Sequence, residues 1–343
     1  MDSTNELWHE IEGQAGAARR VLDDRTLQVG LATLASEVRA SGQLLLTGMG
    51  ASLHAAEAIA SLLRDQGVRA WALPTSELVH YGERLPVAPT LAISQSGDSA
   101  EIVRLVERAR AGVHGLTLNP DGRLAARGAL VMPGGPERAF AATRSFTSTV
   151  AALMILADQL DAGVDPDGLP DALERALVES EGSAAVDVLR AFHDADTLIF
   201  TGRGPLWGLA SYAALLFMEL ARVPSVALEA AQLRHGPLEV GRPGVTVTAL
   251  TALGPTAKLV VKLAKDAAET GARTVLIDSA EPATGSFREV GSAVTRWHVD
   301  TLREADAIAP LAVACQIVAF RLAEARGIVP GVPLRSSKVT REE

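Results

Sequence analysis

Short apolar runs, each closed by a glycine turn and followed by an amphipathic helix, recur along the chain and do so twice in the same order. Ahead of them, Leu7, Ile11, Val21, Leu22, Leu27, Leu31, Leu34 and Val38 fall at roughly helical spacing, which predicts helix over 6–40. The stretch QLLLTGMGASLHAAEAIASLLRDQG (43–67) then reads as strand, Gly turn and helix. VRAWALP and TLAISQSG (90–97) read as further strands, followed by a helix in EIVRLVERARAG and strands in HGLTLN and ALVMP. A long helix from about 145 to 160 closes this block, and DAGVDPDGLPD (161–171) has the Asp, Gly and Pro content of a linker. After a helical segment, DTLIFTGRGPLWGLASYAALLF (196–217) is again strand, Gly turn and helix, and VPSVAL, VTVTALTALGPTAKLVVKLAKDAAETG and RTVLID continue the first block's order.

The two blocks align. Ser94 of TLAISQSGDSA matches Thr251 of VTALTALGPTA, 157 residues on, and Gly48 of TGMG matches Gly202 of TGRG, 154 residues on. A duplicated α/β domain with parallel sheets is the fold this predicts. The expected organisation is a helical leader over 1–40, a first domain over 41–160, a linker and helix over 161–192, a second domain over 193–335, and a tail over 336–343.

Composition narrows the function classes. The chain has 343 residues and is 48% hydrophobic but only 4% aromatic, a mix suited to helices packed on aliphatic sheets. A formal net charge of −9 argues against a nucleic-acid partner or an anionic membrane. Cys315 is the single cysteine, which excludes an intrachain disulfide and points to a reducing cytoplasm. MDSTNELWHEIEGQ lacks the basic and apolar regions of a signal peptide, and no apolar run is expected to approach the ~18 residues a membrane span needs.

The third strand of the first block ends in Ser94-Gln95-Ser96-Gly97-Asp98-Ser99, just before a helix. A helix start offers unpaired N–H groups and the positive end of its dipole, and the Ser94, Ser96 and Ser99 hydroxyls with the Gln95 amide add donors that suit a phosphate monoester. A simple N-cap would account for only one of these residues. Ser52, beside Gly50 at the other Gly turn, would face the same crevice, since ligands of open α/β sheets bind at the carboxyl ends of strands. GMGASL ends in Leu53 and GRGPLW in Trp207, so the dinucleotide fingerprint is absent, as is a P-loop. No histidine spacing supports a metal site, and no cofactor is expected. Glu219, on the helix after the second Gly turn, and His235, in the chain-breaking RHGP, are candidates for moving protons near neutral pH.

SQSGDSAEIV, preceded by TGMGAS and followed by ERAFAATRSFTS (137–148), resembles the sugar isomerase (SIS) domain. RHGP and the terminal RSSKVTREE resemble more specifically the tandem-SIS isomerase half of glucosamine-6-phosphate synthase and its stand-alone relatives, the amino-sugar-6-phosphate deaminase/isomerases. The resemblance runs from about residue 40 to the end. It implies two tandem SIS domains, each a flavodoxin-like or Rossmann-like parallel sheet between helix layers. It also implies that Ser94, Gln95, Ser96 and Ser99 form a phosphate loop with Ser52 and Gly50 beside it. Glu219 would then shuttle a proton between C1 and C2, and His235 would open the ring, often from a neighbouring subunit, so a homodimer with shared active sites is expected. No N-terminal nucleophilic cysteine of the glutamine-hydrolysing domain is found, and ammonia release from glutamine in cis is not expected.

Three departures qualify the resemblance. The Lys-x-Lys-Glu run common before the glutamate is Leu216-Phe217-Met218-Glu219 here, so a neutral, more apolar pocket is expected. The synthase's Schiff-base lysine aligns with Ser337, with Lys338 one residue later, and the tail is expected at the active site with Lys338 as a catalytic candidate. Ala142 stands where many relatives carry a hydroxyl. The reading is an amino-sugar-6-phosphate enzyme working by ring opening and C1/C2 enolisation, of the glucosamine-6-phosphate deaminase/isomerase type. The alternatives are a dehydratase that removes the C3 hydroxyl of N-acetylglucosamine 6-phosphate, and a non-catalytic sugar-phosphate sensor.

Overall fold

A computed structural model describes residues 5–82, 88–108, 112–180, 182–280, 292–300 and 302–342. The chain divides into two units, Gly13–Pro170 with Pro333–Glu343, and Met1–Glu12 with Asp171–Val332.

In the first unit, helices α2 (Gln14–Asp23) and α3 (Arg25–Ser41) precede the sheet. Asp24 caps α3 by accepting the Leu27 N–H at 2.7 Å, and Gly42 ends it in the left-handed region at φ 67°. The strands are β1 (Gln43–Gly48), β2 (Arg69–Pro74), β3 (Thr90–Ile93), β4 (Val113–Thr117) and β5 (Leu130–Val131). They pair in parallel in the order β2-β1-β3-β4-β5. α4 (Ala51–Asp65) and α6 (Ala100–Arg108) follow β1 and β3, and the short α5 (Thr75–Tyr81) follows β2. A parallel sheet covered on both faces needs apolar residues on both sides, which is why QLLLTG and TLAI are buried almost throughout. α7 (Arg144–Gln159) is buried along Ser145–Ala157 and carries much of this unit's core.

The second unit repeats the plan. Its strands β6 (Thr197–Gly202), β7 (Ser225–Glu229), β8 (Val245–Ala252), β9 (Arg273–Ser279) and β10 (Val294–His298) lie in the order β7-β6-β8-β9-β10, all parallel. The helices are α1 (Glu6–Glu12), α8 (Leu169–Glu179), α9 (Ser183–His193), α10 (Pro205–Leu220), α11 (Ala230–Arg234), α12 (Ala257–Glu269) and α13 (Ile308–Ala325). Phe192, Phe200 and Phe217 stack within the core, with ring centroids 4.9–6.2 Å apart. Gln316, buried on α13, donates to the Tyr212 hydroxyl of α10 at 2.9 Å, so the polar group between two apolar helices is satisfied.

Two expectations change, those for the leader and for the length of the apolar runs. The leader is not a single element, because α1 belongs with the second sheet while α2 and α3 belong with the first. Its Trp8 ring lies 5.1 Å from that of Phe320, and Asn5 donates to the Pro330 carbonyl. The tail from Pro333 belongs with the first unit rather than with the sheet it follows. Ile308–Ala325 is an 18-residue helix of mean hydropathy 1.6, so an apolar run of membrane-spanning length does exist. That helix is 83% buried inside its unit, and its apolar surface serves as core.

Candidate active site

Both sheets have the strand order in which the chain reverses direction between the first and third strands, and in the first unit this switch point lies between β1 and β3. The turn after β1 passes through Gly50 at φ 52°, ψ −129°, a conformation that a residue with a Cβ avoids, and delivers Ser52 to the first turn of α4. The loop after β3 is anchored to β4 and to the residues that follow it. The Ser94 N–H binds the Leu116 carbonyl at 3.0 Å, and the Gln95 carbonyl accepts from the Leu118 N–H and the Thr117 hydroxyl. The Asn119 amide donates to the Ser96 carbonyl at 2.9 Å, and the Leu124 N–H donates to the Gly97 carbonyl at 3.0 Å. Within the loop, the Ser94 and Ser96 hydroxyls accept the Gly97 and Asp98 N–H groups at 3.1 and 3.2 Å, and Gly97 sits at φ 68°.

With its carbonyls engaged, the loop is fixed, while the side chains of Ser52, Gln95 and Ser99 make no hydrogen bond to the described residues. This is a preformed set of donors at a helix start. Cations are also close by. A cavity of about 480 Å³ beside the loop is lined by Asp98, Ala100, Arg104, Arg123, Arg341 and others, three of them arginines that sequence reasoning passed over.

The tail closes one side of this region. The Ala100 N–H, at the start of α6, donates to the Thr340 carbonyl at 3.0 Å. The Ser337 hydroxyl donates to the Val339 carbonyl at 2.9 Å. Lys338 Nζ donates to Glu137 Oε2 at 2.9 Å and to the Ala139 carbonyl. Through these contacts Lys338 fixes the tail against the buried Glu137 carboxylate.

Glu137 is the buried acid of this region that sequence reasoning did not single out. Its buried carboxylate accepts the Thr143 and Ser145 N–H groups, each at 2.9 Å, and the Ser145 hydroxyl at 2.6 Å, besides Lys338. It thereby serves the start of α7 and the tail at once. The available signal was a single acid ahead of Thr-x-Ser at a helix start.

The acid–base candidates lie in the second unit. Glu219 is the penultimate residue of α10 and is half-buried. His235 is the exposed C-cap of α11, and its ring makes no hydrogen bond to the described residues. Glu229 sets that short helix by accepting the Ala231 and Gln232 N–H groups at 2.8 and 3.0 Å, and it pairs with Arg203 of the Gly turn at 3.4 Å. The neutral pocket expected around Leu216 and Met218 is revised. Leu216 is 1% exposed and belongs to the core, whereas Met218 is 45% exposed, so only the second can meet a ligand. Ala142 is half-buried just before α7.

The fold and site thus define a tandem, doubly wound α/β protein with an anion-ready loop in its first repeat. The SIS domain profile matches residues 37–158 and 191–284, and the chain belongs to the SIS domain family. Among its relatives is a Streptomyces coelicolor protein described provisionally as a D-galactosamine-6-phosphate deaminase, 33% identical over 98% of this chain and 90% of its own length. The isomerizing glutamine–fructose-6-phosphate aminotransferase of Pyrococcus horikoshii is 29% identical over 86% of this chain, which spans about half (51%) of that enzyme's length. Of solved structures, the Escherichia coli tagatose-6-phosphate ketose/aldose isomerase superposes with a TM-score of 0.83 at 22% identity, covering 97% of this chain and 96% of that one.

Proposed function

We propose that the protein is a SIS-family enzyme that converts a 2-amino-2-deoxyhexose 6-phosphate to a ketose 6-phosphate and ammonia. The observation that carries this is the loop Ser94–Ser99, whose carbonyls are tied back while the Gln95 and Ser99 side chains, with Ser52 across the switch point, keep their donors unused. A dianionic ester is the ligand such a set fits. The relative of provisional D-galactosamine-6-phosphate deaminase description, matched over nearly the whole chain, favours an amino sugar and makes the galacto epimer the first to try.

In this reading His235 opens the pyranose by moving the O1 proton toward O5. Glu219 takes the proton from C2 of the open aldose and returns it to C1, so the enolamine becomes a ketimine at C2. Water adds to that carbon and ammonia leaves, giving the ketose phosphate. The exposed His235, whose ring has no hydrogen-bond partner among the described residues, supports its acting on a second subunit of a homodimer.

The test is incubation of the purified protein with galactosamine 6-phosphate, glucosamine 6-phosphate and N-acetylglucosamine 6-phosphate in parallel. Ammonia with a ketose phosphate from either amine is the expected result. Loss of one water from the acetylated sugar would identify a dehydratase instead, and binding without turnover of any of the three would identify a sensor.

A further inference from the structure

The second sheet repeats the first strand for strand, so each residue of the anion-ready crevice has a counterpart. Thr47 lies beside Ala92 in the first sheet, and Thr201 lies beside Ala249 in the second. That register aligns Ser94–Ala100 with Thr251–Ala257 at the constant offset of 157, and α6 and α12 begin at the matching residues Ala100 and Ala257. Ser99 therefore corresponds to Thr256. Gly50 corresponds to Gly204, whose φ 55° and ψ −129° reproduce the φ 52° and ψ −129° of Gly50. The turn and the loop that bracket the crevice are both present in the second repeat.

Here the crevice is filled from within. Glu304 Oε1 accepts a 2.5 Å hydrogen bond from the Thr256 hydroxyl. A Cβ on Gly254 would come within 2.4 Å of the Glu304 carboxyl carbon, and one on Gly204 within 3.9 Å of Oε2, so the carboxylate lies between loop and turn. The backbone fixes it there, because the Leu253 N–H binds the Leu302 carbonyl and the Glu304 N–H binds the Leu253 carbonyl, each at 2.9 Å. The Thr251 hydroxyl, the counterpart of Ser94, is buried with no hydrogen-bond partner among the described residues.

Glu304 is also the counterpart of Glu137. Leu130 pairs with Leu116 in the first sheet and Trp297 with Ile277 in the second, and each glutamate lies seven residues further on. The two copies have taken different partners. Glu137 serves α7 and Lys338, which leaves Ser99 available, while Glu304 occupies the hydroxyl that matches Ser99.

We infer that the second crevice is an oxyanion cradle filled by the chain's own carboxylate. Glu304 stands where a phosphate stands in the first repeat, one sugar phosphate binds per chain, and removing the carboxylate opens a second site for a small oxyanion. This rests on the phosphate reading of the Ser94–Ser99 loop. An anionic carboxylate already hydrogen-bonded in the cradle excludes a phosphate both by volume and by like charge.

Hydrogen–deuterium exchange of the full chain with and without inorganic phosphate tests it, read over 94–100 and 251–258. In the wild type, protection is expected over 94–100 only. In Glu304→Ala, phosphate at ten times its Kd should also slow exchange over 251–258 by about tenfold. Glu304→Gln, which fills the same volume, should gain nothing there. Should Glu304→Ala loosen the loop, phosphate must restore its exchange and raise its melting temperature more than it raises that of the wild type. Response over 94–100 with no phosphate effect on 251–258, and with a melting-temperature rise in Glu304→Ala no larger than in the wild type, overturns this inference alone. An unresponsive 94–100 in the wild type overturns the reading of the first crevice and this inference with it.

Discussion

Replacing Glu137 by glutamine tests whether one buried acid ties the tail to the first sheet. The carboxylate accepts four hydrogen bonds, from the Thr143 and Ser145 N–H groups, the Ser145 hydroxyl and Lys338 Nζ. A glutamine carbonyl can keep the two N–H donors, and the Ser145 hydroxyl can rotate to accept from the new amide. Lys338 has no such option and faces a second donor. Breaking a buried ion pair from one side costs about 3–5 kcal/mol, but the Lys338 side chain is 23% exposed and can turn to water. The loss for Glu137→Gln is therefore about 2–3 kcal/mol, near the value of one charge-assisted hydrogen bond. Glu137→Ala also orphans the two N–H groups at the start of α7, which adds about 2 kcal/mol.

Limited trypsin digestion reads the tail directly, since Arg335, Lys338 and Arg341 lie within it. If cleavage tracks the opened population, 2–3 kcal/mol corresponds to about 30- to 160-fold faster tail cleavage in Glu137→Gln. Urea unfolding of Glu137→Gln, Lys338→Met and the double mutant should be non-additive by about 1–2 kcal/mol. Unchanged cleavage together with additive stabilities would refute the latch.

Ser99→Ala and Ser96→Ala should each weaken sugar-phosphate binding by about 1.5–3 kcal/mol, measured by calorimetry, and unchanged affinity in both would remove the phosphate cradle. Glu219→Gln should abolish solvent-deuterium incorporation at C2 while leaving binding intact, and persistent exchange would mean that another base acts. Mixing inactive Glu219→Gln and His235→Ala chains should recover part of the activity if His235 works across a subunit boundary, and no recovery would place each site within one chain. Burial pushes the Cys315 thiol up from 9.0 to about 12. Its folded pKa lies above the unfolded one, so the stabilising contribution is full below pH 9 and falls by about 1.4 kcal/mol per unit between 9 and 12. The difference in urea midpoint between wild type and Cys315→Ala should therefore shift against the wild type over that range, and a flat difference would contradict the burial argument.

What was legible along the chain follows from physics that acts locally. Strands covered on both faces must be apolar in unbroken runs, so QLLLTG, TLAI and VTVTALTA announce themselves, and the pairing of Thr47 with Ala92 and Thr201 with Ala249 restates the repeat found by aligning letters. β10 was not legible, because VTRWH mixes a cation and two rings at a sheet edge, and Asp278 of β9 holds Arg296 at 2.6 and 2.8 Å to make it a strand residue. α13 escaped for the opposite reason. A helix apolar on nearly every side has no period to detect.

The site divides along the same line. Ser94–Ser99 could be read because donors and helix start are consecutive in the chain, whereas the Glu137–Lys338 pair spans 201 residues and Thr256–Glu304 spans 48. Two acids at equivalent positions are indistinguishable as letters, and what separates them is which neighbour reaches them first. In the first repeat a lysine from the tail and two N–H groups of α7 claim the carboxylate, and the loop hydroxyl is left for a ligand. In the second, the bridge between Leu253 and Arg303 carries the glutamate onto Thr256, and the corresponding hydroxyl is spent. A duplicated fold can therefore keep two cradles of one geometry while offering a ligand only the first, and the tail that claims Glu137 becomes part of what keeps that one open.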